Sequence, residues 1–211
     1  MTDDNSFNDA AQIWDKRFRR ADFLFGTEPS AYLAAHRCLL EAGKTALAVA
    51  DGEGRNSIWL AKQGLQVDAF DVSPVGVSKA AELARHHDVT VNLRVSDCDA
   101  WDWQHEAYDV VAAIFVQFAG PEMRRRMFAN MIGTLKPGGY LIIQGYTPKQ
   151  LEYKTGGPGL LDHLYTADMM RVAFSILQIV ELCEYEEELK EGIQHVGRSA
   201  LLGMVARKPL T

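Results

Sequence analysis

The sequence predicts an α/β fold, a mostly parallel sheet with helices on both faces that ends in an antiparallel pair of strands. Two observations carry this expectation. Short apolar runs at about 45–50, 66–71, 89–95, 108–115 and 140–144 alternate with stretches of helical periodicity, the pattern of strand-helix-strand units. Two final runs, at about 176–189 and 198–207, have no helix between them and are joined by KEGIQHVG, which reads as a hairpin.

Taken in order, NDAAQIWDKRFRR at 8–20 reads as an amphipathic helix with Ile13, Trp14 and Phe18 on one side. It precedes the first strand and is an appendage to the core. In ADFLFGTEPSAYL, Gly26 breaks an apolar run, Thr27 is a capping residue, and Pro29 opens a helix to about Leu40. The first strand leads through a Gly turn to a helix at 55–63 that Gly64 closes. Ser73-Pro74 caps and starts a helix to about His87. YDVVAAIF at 108–115 is a continuous apolar run, as a central parallel strand requires. Pro121 starts a helix whose Met123, Met127 and Met131 recur at i, i+4 and i+8, a core-packing stripe. LKPGG closes that helix and turns into the fifth strand. A Gly/Pro-punctuated loop of about 20 residues, 146–165, then precedes a helix from Thr166 to Phe174; a loop that long in a compact domain is usually functional or disordered.

The 211 residues, 47% hydrophobic and 24% charged, are enough for one sizeable core. One domain is expected over 1–211, with 1–43 as a helical cap segment and 44–211 as the core. No apolar run reaches the roughly 20 residues of a membrane span, and MTDDNSFND is acidic where a signal peptide is basic and then apolar. A cytoplasmic protein without membrane attachment follows as the expectation. The formal charge of −6 argues against a nucleic-acid partner, and Arg124 to Arg126 reads as the solvated face of a helix. Cys38, Cys98 and Cys183 are odd in number and far apart, and His36, His86, His87, His105 and His163 lack metal-ligand spacing, so neither a disulfide framework nor a metal site is expected.

The chemistry concentrates in ALAVADGEGRNSIWLA, 46–61. A strand, a tight Gly turn and a helix start bring backbone N–H groups to a ligand without a Cβ in the way. Nineteen residues after Gly52, VDAFDVSP puts Asp71 at the end of the second strand, where a carboxylate accepts both hydroxyls of a ribose. A Gly turn followed by a ribose acid points to an adenosine-type cofactor.

These motifs resemble the class I S-adenosylmethionine-dependent methyltransferases. The resemblance covers about 44–145: GEGRN at 52–56, Asp71 with Ser73, Asp97-Cys98, YDVVAAIF, and LKPGG at 135–139. Outside this core, WDKRF, FGTEPS, YTPKQLEYKTGGP and EGIQHVGRSA look like its small-molecule branch that includes the tellurite-resistance-type methyltransferases. The resemblance implies a Rossmann-like, doubly wound, seven-stranded sheet. It also implies S-adenosyl-L-methionine as cofactor and S-adenosyl-L-homocysteine as product. In that reading Gly52 and Gly54 make room for the methionine part, Asp71 takes the ribose hydroxyls, and Asp97 with Cys98 meets the adenine edge. Asp51, Asn56, Val72 and Ser73 complete the cofactor shell, and Ile114, Phe115 and Gln117 line the reacting centre. The family turn commonly reads Asp-x-Gly-x-Gly-x-Gly; here its first acid and first glycine fall on Ala48 and Ala50. Asp51 or Glu53 stands in for the missing carboxylate.

Methyl transfer from a sulfonium is an in-line displacement that needs alignment and dryness more than a nucleophile. The lid candidates are the N-terminal helix with FLFGTEPS and the loop 146–165. Trp14, Phe25 and Gly26 belong to the first, with Phe23 beside them, and aromatic faces there suit a positive sulfonium. His195 with Arg198, in the hairpin turn, is the candidate base or oxyanion binder, and Tyr146 is the third catalytic candidate; Tyr165, closing the long loop, is a further residue placed to touch substrate. The acceptor expected is a small molecule, a thiol or a chalcogen oxyanion. The alternatives are a non-catalytic cofactor sensor or partner subunit and a nicotinamide-dependent dehydrogenase, in which LKPGG has no role. A nucleic-acid methyltransferase lacks the basic surface it needs.

Overall fold

The structure, a computed structural model, describes residues 4–210; Met1 to Asp3 and Thr211 lie outside the described residues. The first helix, α1 (Asp4–Phe18), is followed by a short α2 (Ala31–Ala35) and a 3-10 turn, Arg37–Leu39. Then come β1 (Thr45–Ala48), α3 (Arg55–Lys62), β2 (Gln66–Asp71), α4 (Pro74–His86), β3 (Val91–Val95) and β4 (Tyr108–Ile114). The second half holds α5 (Pro121–Thr134), β5 (Leu135–Tyr146), α6 (Gln150–Tyr153), α7 (Ala167–Ala173), β6 (Gln178–Glu191) and β7 (His195–Arg207). The seven strands form one sheet in the order β3-β2-β1-β4-β5-β7-β6. The strands β1 to β5 are parallel, and β7 pairs antiparallel with both β5 and β6.

Parallel strands buried on both faces should read as continuous apolar runs, and β4 does from Val110 to Ile114: Val110 and Ala112 enter the core with Tyr32, Leu33 and Leu60, whereas Val111 and Ala113 enter that with Met127, Met131 and Phe174. Alternation therefore sorts one apolar run into two cores. Met127 and Met131 are buried as the stripe predicts, while Met123 borders the central cavity. Gly203 on β7 has a steric purpose. A Cβ there would lie 2.2 Å from the Tyr32 ring, so only glycine lets α2 close on the sheet.

Several boundaries differ from those expected. LKPGG lies inside β5: Leu135 already pairs with Tyr108, and a bulge follows before Tyr140 pairs with Val110. Both final strands reach further toward their turn than the expected runs, β6 to Glu191 and β7 back to His195, leaving only 192–194 as the turn and placing His195 on β7. The backbone there is paired although the outer residues are polar, because pairing to a central strand overrides local propensity. The helix after Pro29 stops at Ala35, and the stretch 146–165 is not a structureless loop, since it contains α6 and a 3-10 turn, Leu161–His163. Ile13, expected on the buried side of α1, is 61% exposed, whereas Phe18 is buried. On the open edge, β6 presents Glu184, Glu186, Glu187 and Glu188, charges that discourage further strand pairing.

Candidate active site

The carboxyl ends of β1, β2 and β4 open into a cavity of about 780 Å³, the crevice where open α/β sheets bind ligands. Its floor begins at the turn after β1. Ala50, Gly52 and Gly54 have φ of 47°, 62° and 93°, a left-handed run that reverses the chain into α3. Gly54 is also sterically required, because a Cβ would meet Ile58 and Ala80 at 2.4 and 2.6 Å. Ala50 sits where the family pattern has its first glycine, and its positive φ explains that preference; an alanine there costs of order 1–3 kcal/mol. Phe115, at the end of β4, is left-handed too, with φ 57°. Both outliers border the cavity.

Asp71 and the Gly turn form one unit. The Asp71 carboxylate accepts from the backbone N–H of Gly52 through Oδ2 and of Ser73 through Oδ1, both at 2.9 Å. Burial pushes its pKa up to about 6 against those two hydrogen bonds. Asp51, also raised to about 6 by burial, accepts from the N–H of Ser57 and lines the cavity. Of the two acids named as replacements for the one missing at Ala48, Asp51 therefore faces the cavity. Glu53 does not: it accepts from the Leu24 N–H at 2.7 Å and pairs with Lys79. Its role is to fasten the segment after α1 onto α4. Ala48 itself is buried within β1, outside the cavity lining.

Trp14, Phe25, Asn56, Val72, Asp97, Cys98, Ile114, Phe115, Gln117, Tyr146 and His195 all border the cavity. Two of them also carry structural duties. Asp97 Oδ1 accepts from the N–H groups of Asp99 and Ala100, capping its own turn. The Gln117 amide is spent on backbone, donating to the carbonyls of Tyr146 and His163 and accepting from the Tyr146 N–H; this locks the end of β5 to the 3-10 turn. Tyr165 is fully buried in the core beside Phe128 and lies off the cavity lining. Trp14 stacks on Phe18 with ring centroids 5.4 Å apart, so α1 closes one wall.

Four expected site residues stand elsewhere. Gly26 packs on Gly192, where the N-terminal segment crosses the β6–β7 turn. Gly54 acts behind the cavity by packing on α4, and the Ser73 hydroxyl caps α4 and donates to Asp15. Arg198 is corrected outright: it points from β7 to the protein surface, pairs with Glu186 at 2.6 Å and covers Tyr153. Along an extended strand a residue three positions on from His195 faces the opposite side.

His195 is buried, not an exposed turn residue. Its ring centroid lies 4.5 Å from that of Phe25, 4.4 Å from Phe115 and 5.7 Å from Tyr146. Its Nδ1 is 3.3 Å from Glu191 Oε2, and the same oxygen is 2.9 Å from the Arg55 guanidinium. Burial lowers the His195 pKa below the usual imidazole value, with Glu191 opposing. The Tyr146 hydroxyl is buried without a hydrogen-bond partner among the described residues, and burial raises its pKa, so it remains a neutral phenol. Glu191, Arg55, Arg17 and His163 were not singled out from sequence. Arg17 and His163 border the cavity, and His163 Nδ1 is 2.9 Å from the Gln117 carbonyl. The i, i+4 spacing of Glu191 and His195 was a usable signal once the hairpin turn was known to be three residues long.

Residues 46–139 match a family model described as a methyltransferase domain. No curated protein matches the chain by sequence. Among solved structures, one from work on the conversion of a disulfide bond into a thioacetal group during echinomycin biosynthesis is 18% identical, with a TM-score of 0.75 over 95% of this chain and 92% of that one. The N-methyltransferase NodS from Bradyrhizobium japonicum WM9, in complex with S-adenosyl-L-homocysteine, is 16% identical, with a TM-score of 0.69 over 95% and 98%. TehB from Haemophilus influenzae is 16% identical, with a TM-score of 0.69 over 94% of this chain and 67% of that one. These likenesses show the shared fold.

Proposed function

We propose that this chain, which carries a methyltransferase domain on the class I fold, transfers a methyl group from S-adenosylmethionine to a small-molecule acceptor. One observation carries the reading. The cavity that starts at the Asp71–Gly52 unit ends in a cluster of the half-buried Phe25 and Phe115 with the buried Tyr146 and His195, so a carboxylate suited to a ribose and an aromatic end share one space.

The residues present fit the cofactor. Asp71 uses its two backbone hydrogen bonds to fix its carboxylate and keeps lone pairs for the ribose hydroxyls. Asp97 and Cys98 border the region for the adenine, and Asp51 offers a carboxylate for the amino group. When bound, the cofactor supplies an activated methyl group; the protein supplies alignment and exclusion of water. Trp14, Phe25 and Phe115 give aromatic faces suited to the sulfonium charge. A cavity of about 780 Å³ holding donor and acceptor together favours a small acceptor. The matched N-methyltransferase and the disulfide-converting system keep nitrogen and sulfur nucleophiles beside thiols and chalcogen oxyanions in the set to be tried.

Isothermal titration with S-adenosylmethionine tests the reading first, followed by detection of S-adenosylhomocysteine with thiols, amines, selenite and tellurite. Saturable binding and acceptor-dependent product formation are expected. No heat of binding with cofactor in large excess would sink the reading.

A further inference from the structure

We propose that Glu191 is a positioning residue that holds His195 with its proton on Nδ1, leaving Nε2 to take a proton from an acceptor that arrives as a neutral protic nucleophile, such as a thiol. The proposal rests on the methyltransferase reading above and narrows its acceptor.

The geometry is a chain of three buried side chains from three elements. Arg55 at the start of α3, Glu191 at the end of β6 and His195 at the start of β7 have side-chain exposures of 7%, 12% and 7%. One oxygen, Glu191 Oε2, faces both the guanidinium and Nδ1. Arg55 also donates to the Phe25 carbonyl, at 3.3 Å. A buried carboxylate is stable only when paired, and Arg55 pairs it. An imidazole beside a carboxylate places its N–H toward that carboxylate, which leaves the other nitrogen as the acceptor. The charged and titratable groups around His195 are Glu191 on β6, Arg55 on α3, Arg17 on α1 and Tyr146 on β5; Phe25 and Phe115 fill the remaining sides.

A base is useful only if the acceptor has a proton to lose. The acceptor's proton passes to Nε2, its heteroatom pair forms the bond to the methyl carbon, and the carbon–sulfur bond breaks with its electrons on sulfur. His195 then returns the proton to water. A chalcogen oxyanion attacks through a lone pair and needs no such step. The cation expected to receive an oxyanion, Arg198, is on the surface, and Arg55 is engaged by Glu191.

The test compares wild type with Glu191→Gln and His195→Asn. The ring-nitrogen NMR spectrum of the free protein should show His195 as the Nδ1–H tautomer. It should lose that preference in Glu191→Gln. With small alkyl and aryl thiols, His195→Asn should lower kcat about 10²–10⁴-fold, the range for general-base catalysis, at nearly unchanged cofactor affinity. Glu191→Gln should lower kcat about tenfold or more and move the ascending limb of its pH profile to lower pH, because Arg55 is then unneutralised beside the imidazole. Loss of Glu191 by misfolding is separated by cofactor titration and by Glu191→Asp, which should restore part of kcat. An Nε2–H tautomer in wild type, a pH limb unmoved in Glu191→Gln, or equal losses with thiols and with selenite or tellurite overturns the proposal. Failure of all three proteins to bind cofactor overturns the methyltransferase reading instead.

Discussion

The Asp71 carboxylate accepts a hydrogen bond from the backbone N–H of Gly52 at 2.9 Å, which ties the end of β2 to the turn after β1. The acid and the turn are therefore set by each other. A ligand meeting one finds the other already in place, and this preorganisation reduces the ordering cost of binding.

Asp71→Ala should weaken cofactor binding about 10- to 100-fold, since hydrogen bonds to a charged group contribute about 1.5–3 kcal/mol. Titration calorimetry measures it. Asp71→Asn should recover little, because the amide has one accepting oxygen and sets a donor NH2 against one of the two backbone N–H groups.

The pKa values of Asp51 and Asp71, both raised to about 6 by burial, set a direction for stability. A carboxyl whose folded value exceeds its unfolded value near 4 binds protons more tightly when folded. Its contribution is full below about pH 4 and is lost as pH rises through about 6. Asp51→Asn should therefore stabilise the ligand-free protein by up to about 2–3 kcal/mol at about pH 7.5, with the gain shrinking towards about pH 4. Thermal melts at the two pH values read this out.

Gly54→Ala and Gly43→Ala separate strain from packing. Both residues have positive φ, 93° and 85°, but a Cβ at Gly43 meets nothing within 4 Å, whereas one at Gly54 meets Ile58 and Ala80. Gly43→Ala should cost about 1–2 kcal/mol from strain alone. Gly54→Ala should cost about 2–5 kcal/mol, as overpacking adds to it, and should also weaken the cofactor. Equal costs by urea denaturation would count against the packing argument.

Lys79 donates to the carbonyls of Phe18, Arg20 and Asp22 while pairing with Glu53, and so pins the segment after α1. Lys79→Met should destabilise the protein by about 3–5 kcal/mol because Glu53 is left as a buried, unpaired charge. Hydrogen exchange should accelerate across 19–26. Adding Glu53→Gln should recover part of the loss.

Local chemistry in the sequence determined much of this protein. The Gly turn, the strand-terminal Asp71, the run YDVVAAIF and the alternation of periods specify the parallel half of the sheet, because backbone freedom, strand burial and helix capping act over a few residues. The same reading, with the family resemblance, named part of the cavity lining, including Trp14, Phe25 and His195. Tertiary structure decided what depends on long-range pairing. The antiparallel ladder between β6 and β7 puts His195 and Arg198 on one strand, and their odd spacing along it then turns His195 inward and Arg198 outward. It also brings Glu191 to Arg55, 136 positions earlier in the chain. Neither apolar periodicity nor spacing records such a meeting, since a buried charge is stable only in the company of a partner that the fold alone supplies.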